Sequence, residues 1–73
     1  MLHFADEFRD FAKTEAIAAI RDSDEVPANK RVFIKLIKKA PTIRHIKAFM
    51  SAIGYKRDVS GIFIKRGQNQ QNI

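Results

Sequence analysis

The side chains best equipped for chemistry lie in the second half of the chain and are cationic. Arg44, His45 and Lys47 fall within four positions of one another, and Lys56, Arg57, Lys65 and Arg66 flank the dipeptide Ser60-Gly61. Guanidinium and ammonium groups neutralise phosphates and release their counterions. A basic helix followed by a basic hairpin is therefore a shape that grips a nucleic-acid backbone. The distribution of charge reinforces this reading. The 73-residue chain carries a net charge of +6, but residues 1–29 hold three Lys/Arg against seven Asp/Glu, a net of −4. Residues 30–73 hold eleven Lys/Arg against Asp58 alone, a net of +10. A field of this sign and size speeds encounter with polyanions and is weakened by salt.

Other chemistries find no purchase. There is no cysteine, hence no thiol nucleophile, no disulfide framework and no Cys-type zinc site. His3 and His45 are too few and too far apart for a metal centre, and no cofactor is expected. The three glycines stand alone at 54, 61 and 67, so no loop cradles phosphate. No Ser/His/Asp arrangement has a plausible spacing, and the acidic residues of the first helix and of 22–25 suit capping and solubility. The chain reads as a non-enzyme. No apolar run approaches a membrane span, and Met1 to Asp10 already contains Asp6, Glu7 and Asp10, unlike a secretory signal. A soluble, cytoplasmic protein is the expectation.

The elements that must position the cations follow from periodicity. A helix is expected over 3–21, with Phe4, Phe8, Phe11, Ala12, Ala16, Ala19 and Ile20 on one face. The phenylalanines are expected in the core, because a chain this short buries only about 60% of its unfolded surface and needs its large side chains inside. Residues 22–29 form a connection, with a short strand possible around Glu25–Pro27. Residues 30–39 (KRVFIKLIKK) fit two periods. As a strand they are rich in β-branched residues; as a helix capped by Asn29 they set Val32, Phe33, Leu36 and Ile37 on one face. Cations in the last turn favour the helix, and Ile34 fits it worst. Thr42 can cap a helix over 42–53, in which Ile43, Ile46, Phe49, Met50 and Ile53 point inward and Gly54 ends the element. A hairpin spans 55–66. A two-residue loop would pair Val59 with Ile62; a four-residue loop, Asp58 to Gly61, would pair Arg57 with Ile62. Residues 1–66 thus form one domain, mostly α with a small β-hairpin, and 67–73 (GQNQQNI) a polar flexible tail.

The order of elements from Phe4 to Arg66 resembles a winged-helix domain, the helix-turn-helix variant in which a hairpin follows the recognition helix. In detail, PTIRHIKAFMSAIGYKRDVSGIFIKR is similar to the C-terminal winged helices of phage and plasmid primase-helicases and replication initiators. These end their recognition helix at a Gly-Tyr-like step and run into a basic wing, and small phage regulators use the same fold. The resemblance implies a recognition helix from Thr42 to Ile53 whose solvent face shows Arg44, His45, Lys47, Ala48 and Ser51. Arg44 would reach a base edge, and Thr42 with the helix N-terminus would hold a phosphate. Lys56, Arg57, Lys65 and Arg66 would take phosphates or a minor groove, and Lys30, Arg31, Lys35, Lys38 and Lys39 the flanking backbone.

Double-stranded DNA is thus the favoured partner, for a small regulator of transcription or an accessory of replication. Two other readings stay open. The basic domain could dock on an acidic protein as an inhibitor or adaptor. It could also bind RNA, although the aromatic sheet of common single-strand RNA readers is missing. A single module buries little area on DNA, so a homodimer is a further expectation, with helix 3–21 as its surface.

Overall fold

The structure is a computed structural model that describes residues 4–66. The tail expected over 67–73 and the start of the first helix at His3 lie outside the described residues. Three helices are followed by a two-stranded antiparallel hairpin: α1 (Phe4–Arg21), α2 (Pro27–Lys39), α3 (Ile43–Ala52), β1 (Tyr55–Arg57) and β2 (Phe63–Lys65). The protein is mostly helical with one small hairpin, and its layout is compatible with a winged helix. No helix among the described residues is long and apolar enough to cross a membrane.

The core is built from Ala12, Ala16 and Ile20 of α1, Ile37 of α2, Ile46 and Met50 of α3, and Tyr55 and Phe63 of the hairpin. Alanines at 12 and 16 keep α1 thin where α2 and α3 both pack against it. Phe8 and Phe11 of the phenylalanine stripe do not fill this core, and the Phe4 side chain lies outside the described residues. Phe8 is 60% exposed and Phe11 46% exposed. The small Ala/Ile face of α1 is the one that meets the other helices, and it leaves Phe8 and Phe11 outside the three-helix seam.

α1 and α2 are joined at both ends by lysines of the opposite helix. Lys13 Nζ donates to the Lys38 carbonyl (2.7 Å), and Lys30 Nζ donates to the Arg21 carbonyl (2.7 Å). The last carbonyls of a helix lack intrahelical partners and carry partial negative charge. Each lysine therefore supplies the terminal group that the other helix needs.

α2 begins three residues earlier than a helix capped by Asn29 would, at Pro27 instead of Lys30. Val26 is extended, at φ −68° and ψ 150°, and makes no side-chain cap; Pro27 is the first helical residue. Proline suits that position, since its fixed φ is helical and its missing N–H would have no partner there. No strand forms at Glu25–Pro27 for the same reason. Asn29 lies within the first turn, where its side chain donates to Glu25 (2.8 Å). The inward face also differs from the expected one. Ile37 is buried, with Phe33 and Ile34 packed against the core, whereas Val32 and Leu36 are exposed. Ile34 lies one turn on from Lys30, which reaches α1, so it belongs to the seam. The ring of Phe33 meets that of Phe49 edge-on, 5.6 Å between centroids, and joins α2 to α3.

Ala40 has an extended ψ of 127° ahead of Pro41, which ends α2 and opens the turn. α3 is then capped by Thr42, whose hydroxyl accepts from the His45 N–H (3.2 Å). Its inward face is the expected one: Ile46 and Met50 are buried, and Ile43, Phe49 and Ile53 pack against the core. Gly54 leaves the helix with φ +99°.

The hairpin takes neither of the two registers left open by the sequence. Tyr55 pairs with Lys65, Lys56 with Ile64, and Arg57 with Phe63. Asp58 and Ile62 close the loop through Asp58 N–H to the Ile62 carbonyl (2.9 Å), and Gly61 N–H donates to the Asp58 carbonyl (3.0 Å). The cause is the Asp58 carboxylate. It accepts from Ser60 N–H (2.9 Å), Ser60 Oγ (2.6 Å) and Ile62 N–H (3.0 Å), and so replaces part of the backbone ladder. Gly61, at φ +94°, supplies the left-handed residue that a three-residue loop requires. Tyr55 and Phe63 turn inward from this register, while Ile62 is exposed.

Candidate nucleic-acid interface

On α3, burial of Ile43, Ile46, Phe49, Met50 and Ile53 forces the remaining positions outward. Arg44, His45, Lys47 and Ala48 are exposed, and Ser51 is half-buried. Arg44, Lys47, Ala48 and Ser51 follow at steps of three, one and three, so they share one side of the helix. Thr42, also exposed, is doubly engaged with His45. Its oxygen accepts the backbone N–H of His45, and it lies 2.7 Å from His45 Nδ1. The hydroxyl's own proton can then go to Nδ1, an arrangement that pairs with the Nε2–H tautomer and turns Nε2–H away from the cap.

The hairpin divides its four cations by face. Lys56 and Arg66 are exposed. Arg66 donates through Nη2 to Ser51 Oγ, and its backbone N–H donates to the Gly54 carbonyl (2.7 Å). These two bonds attach the end of β2 to the outer side of α3, so that Arg66 extends the row that begins at Arg44. Arg57 and Lys65 are half-buried and turn to the inner face. The Arg57 guanidinium lies over the Phe63 ring at 5.7 Å and its Nε donates to the Gly61 carbonyl (3.1 Å). Lys65 Nζ lies over the Tyr55 ring at 5.0 Å and 3.5 Å from the Ile53 carbonyl. In these positions the two cations brace the hairpin against α3 and its own tip.

The α2 cations are divided in the same way. Lys30 is half-buried and bonded to the end of α1, whereas Arg31 and Lys35 are exposed. Arg44, His45, Lys47, Lys56, Arg66, Arg31 and Lys35 are thus solvent-facing, with Arg66 bonded to Ser51 and His45 to Thr42, whereas Lys30, Arg57 and Lys65 are half-buried against partners in the fold. No acidic residue interrupts α2, α3 or the strands, and Asp58 is the one acid from residue 30 to residue 66. Its hydrogen bonds, first that from the Ser60 hydroxyl and then that from Ile62 N–H, hold its carboxyl below the usual aspartate range. The carboxylate is turned to the loop's own donors.

Compared with protein-family models, curated proteins and solved structures, the chain matches none of them.

The end of α1 and the hairpin enclose a cleft of about 440 Å³ lined by Phe33, Ile53 and Tyr55, with Asp22, Asp24 and Glu25 at its polar side and Lys65 the one cation in its wall. Burial raises the Tyr55 phenol above its usual range, opposed by Ser23 and aided by these acids. An acidic rim repels phosphate, so this cleft lies outside the candidate interface. Asp58, a loop residue in one of the two registers that the sequence allows, has a role the sequence leaves unassigned. It looked like a lone acid in a basic segment, but it organises the tip that separates Lys56 from Arg66. The Asp-x-Ser-Gly spacing was the available signal, since Asp side chains hydrogen-bond backbone two residues on.

Proposed function

We propose that the protein is a duplex-DNA-binding module of winged-helix type, serving as a small regulator or replication accessory. In this reading α3 enters the major groove and the hairpin rides on the adjacent backbone. Arg44, near the start of α3, is the side chain for a base edge, because its planar fork matches guanine. Lys47, Lys56 and Arg66 take phosphates, with Arg31 and Lys35 on the flank. Thr42 and the free N–H groups of the first turn of α3 offer a further phosphate position. Lys30, Arg57 and Lys65 act indirectly, by fixing the helices and the hairpin.

The observation that carries the reading is the bond from Arg66 to Ser51. It joins the hairpin's outer cation to the exposed row Arg44–Lys47–Ala48–Ser51, so helix and hairpin offer one basic surface and not two separate ones. A duplex spreads its phosphates over two strands and suits a surface of that breadth.

The test is a competition mobility shift with the purified protein against duplex DNA, single-stranded DNA and RNA of the same sequence. The expected result is preference for duplex DNA, with affinity falling as salt rises. Equal or stronger binding to the single strands or to RNA would sink the duplex assignment.

A further inference from the structure

The large exposed apolar side chains of the helices fall into two groups of opposite electrostatic character. On α1, Phe8 and Phe11 stand out of the fold, and exposed Ile62 of the hairpin borders Glu15 and Ala18 of the same helix. At helical spacing, Glu7, Phe8, Phe11, Glu15 and Ala18 run along one side of α1, continued by Asp22 just past its end, and Arg21 at that end is the one cation beside them. On α2, Val32 and Leu36 are 55% and 47% exposed, one turn apart. Exposed Lys35 and Lys39 border them, and α2 contains no acidic residue.

The two stripes do not meet within one molecule. Phe11 lies at the hairpin: a Cβ on Gly61 would come within 3.0 Å of its Cε2 atom. Arg9 and Lys13, on the other flank of α1, are the side chains that reach the end of α2, at the Pro41 and Lys38 carbonyls. Among the described residues, each apolar stripe is therefore left without a cover.

We propose that these stripes cover each other between copies of the chain, the acidic aromatic stripe of α1 on one copy seated on the basic aliphatic stripe of α2 on the next. Charge decides the pairing. Two α1 stripes face to face would set Glu7, Glu15 and Asp22 against their duplicates, and two α2 stripes would oppose Lys35 and Lys39 in the same way. Like charges brought together oppose association at an interface. The α1–α2 pairing sets acids against lysines and buries Phe8 and Phe11 on Val32 and Leu36. Because it uses two different surfaces, each copy keeps one of each kind free. Association is head-to-tail and continues into chains instead of stopping at a two-fold dimer. It requires no nucleic acid, so it stands or falls apart from the DNA-binding reading.

The experiment is sedimentation velocity on nuclease-treated protein over a concentration series at low and high salt, with the parent, Phe8→Asp and Leu36→Asp. Both substitutions are at exposed positions, and a thermal melt verifies that each variant folds. The parent is expected to grow past the mass of a dimer with concentration, and less so at high salt. Each variant alone should stay monomeric. An equimolar mixture of the two should form dimers and go no further, since Leu36→Asp retains an intact α1 stripe and Phe8→Asp an intact α2 stripe. A parent that stays monomeric throughout would overturn the proposal without recourse to any variant. A parent dimer that Leu36→Asp leaves intact, or a mixture of folded variants that stays monomeric, would overturn it as well.

Discussion

Asp58 illustrates how far the role of a residue depends on its neighbours within a few positions. In a segment with a large excess of positive charge, a single carboxylate would be expected to weaken the attraction for an anion. Instead it accepts three hydrogen bonds from Ser60 and Ile62 and sets the register of the strands. Those bonds favour the charged carboxylate and lower its pKa in the fold, with the Ser60 hydroxyl as the largest cause. The sign of the pH effect follows. A carboxyl with a depressed folded pKa contributes stability at neutral pH, above the unfolded value, and loses it as pH falls through the folded value. The Asp58 carboxyl, followed by carbon NMR, should therefore titrate below the usual aspartate range, and Ser60→Ala should move it upward. A midpoint at or above the usual range would contradict the turn geometry. Arg57 and Lys65 teach the complementary lesson. Sequence identified them as wing cations, but the pairing of Arg57 with Phe63 and of Tyr55 with Lys65 puts them on the aromatic inner face. That outcome depends on a register that only the Asp58 loop decides.

At the scale of elements, α3 was fully legible and α2 only partly. α3 has its cap, its five inward residues and its terminal glycine in the positions that periodicity and capping chemistry require. For α2, the choice of helix over strand was right, but its inward face was read one position early. A window of ten residues with apolar side chains at 32, 33, 34, 36 and 37 supports two faces almost equally. The tie is broken by packing: Phe33 meets Phe49, and Lys30 reaches the end of α1. The same limit explains the phenylalanines of α1, since side-chain size alone does not say which side of a helix two neighbours will cover. Denaturant unfolding measures the difference. Ile37→Ala, at a fully buried position, should cost about 2–5 kcal/mol, and Leu36→Ala, at an exposed one, about 0.5 kcal/mol or less. Equal losses at the two positions would mean that α2 is rotated from this arrangement.

Across the whole molecule, the charge split visible in the sequence becomes a spatial division. The acidic residues gather on α1 and at its end, while the exposed cations gather on α2, α3 and the outer side of the hairpin. The fold then separates cations that hold the structure, such as Lys13, Lys30, Arg57 and Lys65, from cations that face solvent. In the proposed function, DNA contact falls to the second set alone. Its most direct test is the slope of log affinity against log salt for a duplex, measured by anisotropy for the parent, for each of Arg44→Ala, Lys47→Ala and Lys56→Ala, and for the three combined. Each lost phosphate contact should flatten the slope by about one unit, and Arg44→Ala should also relax sequence preference. The account predicts that the triple variant binds far more weakly than the parent and with a slope flatter by about two to three units. A triple variant that is folded and binds duplex DNA with the parent's affinity and slope would contradict it.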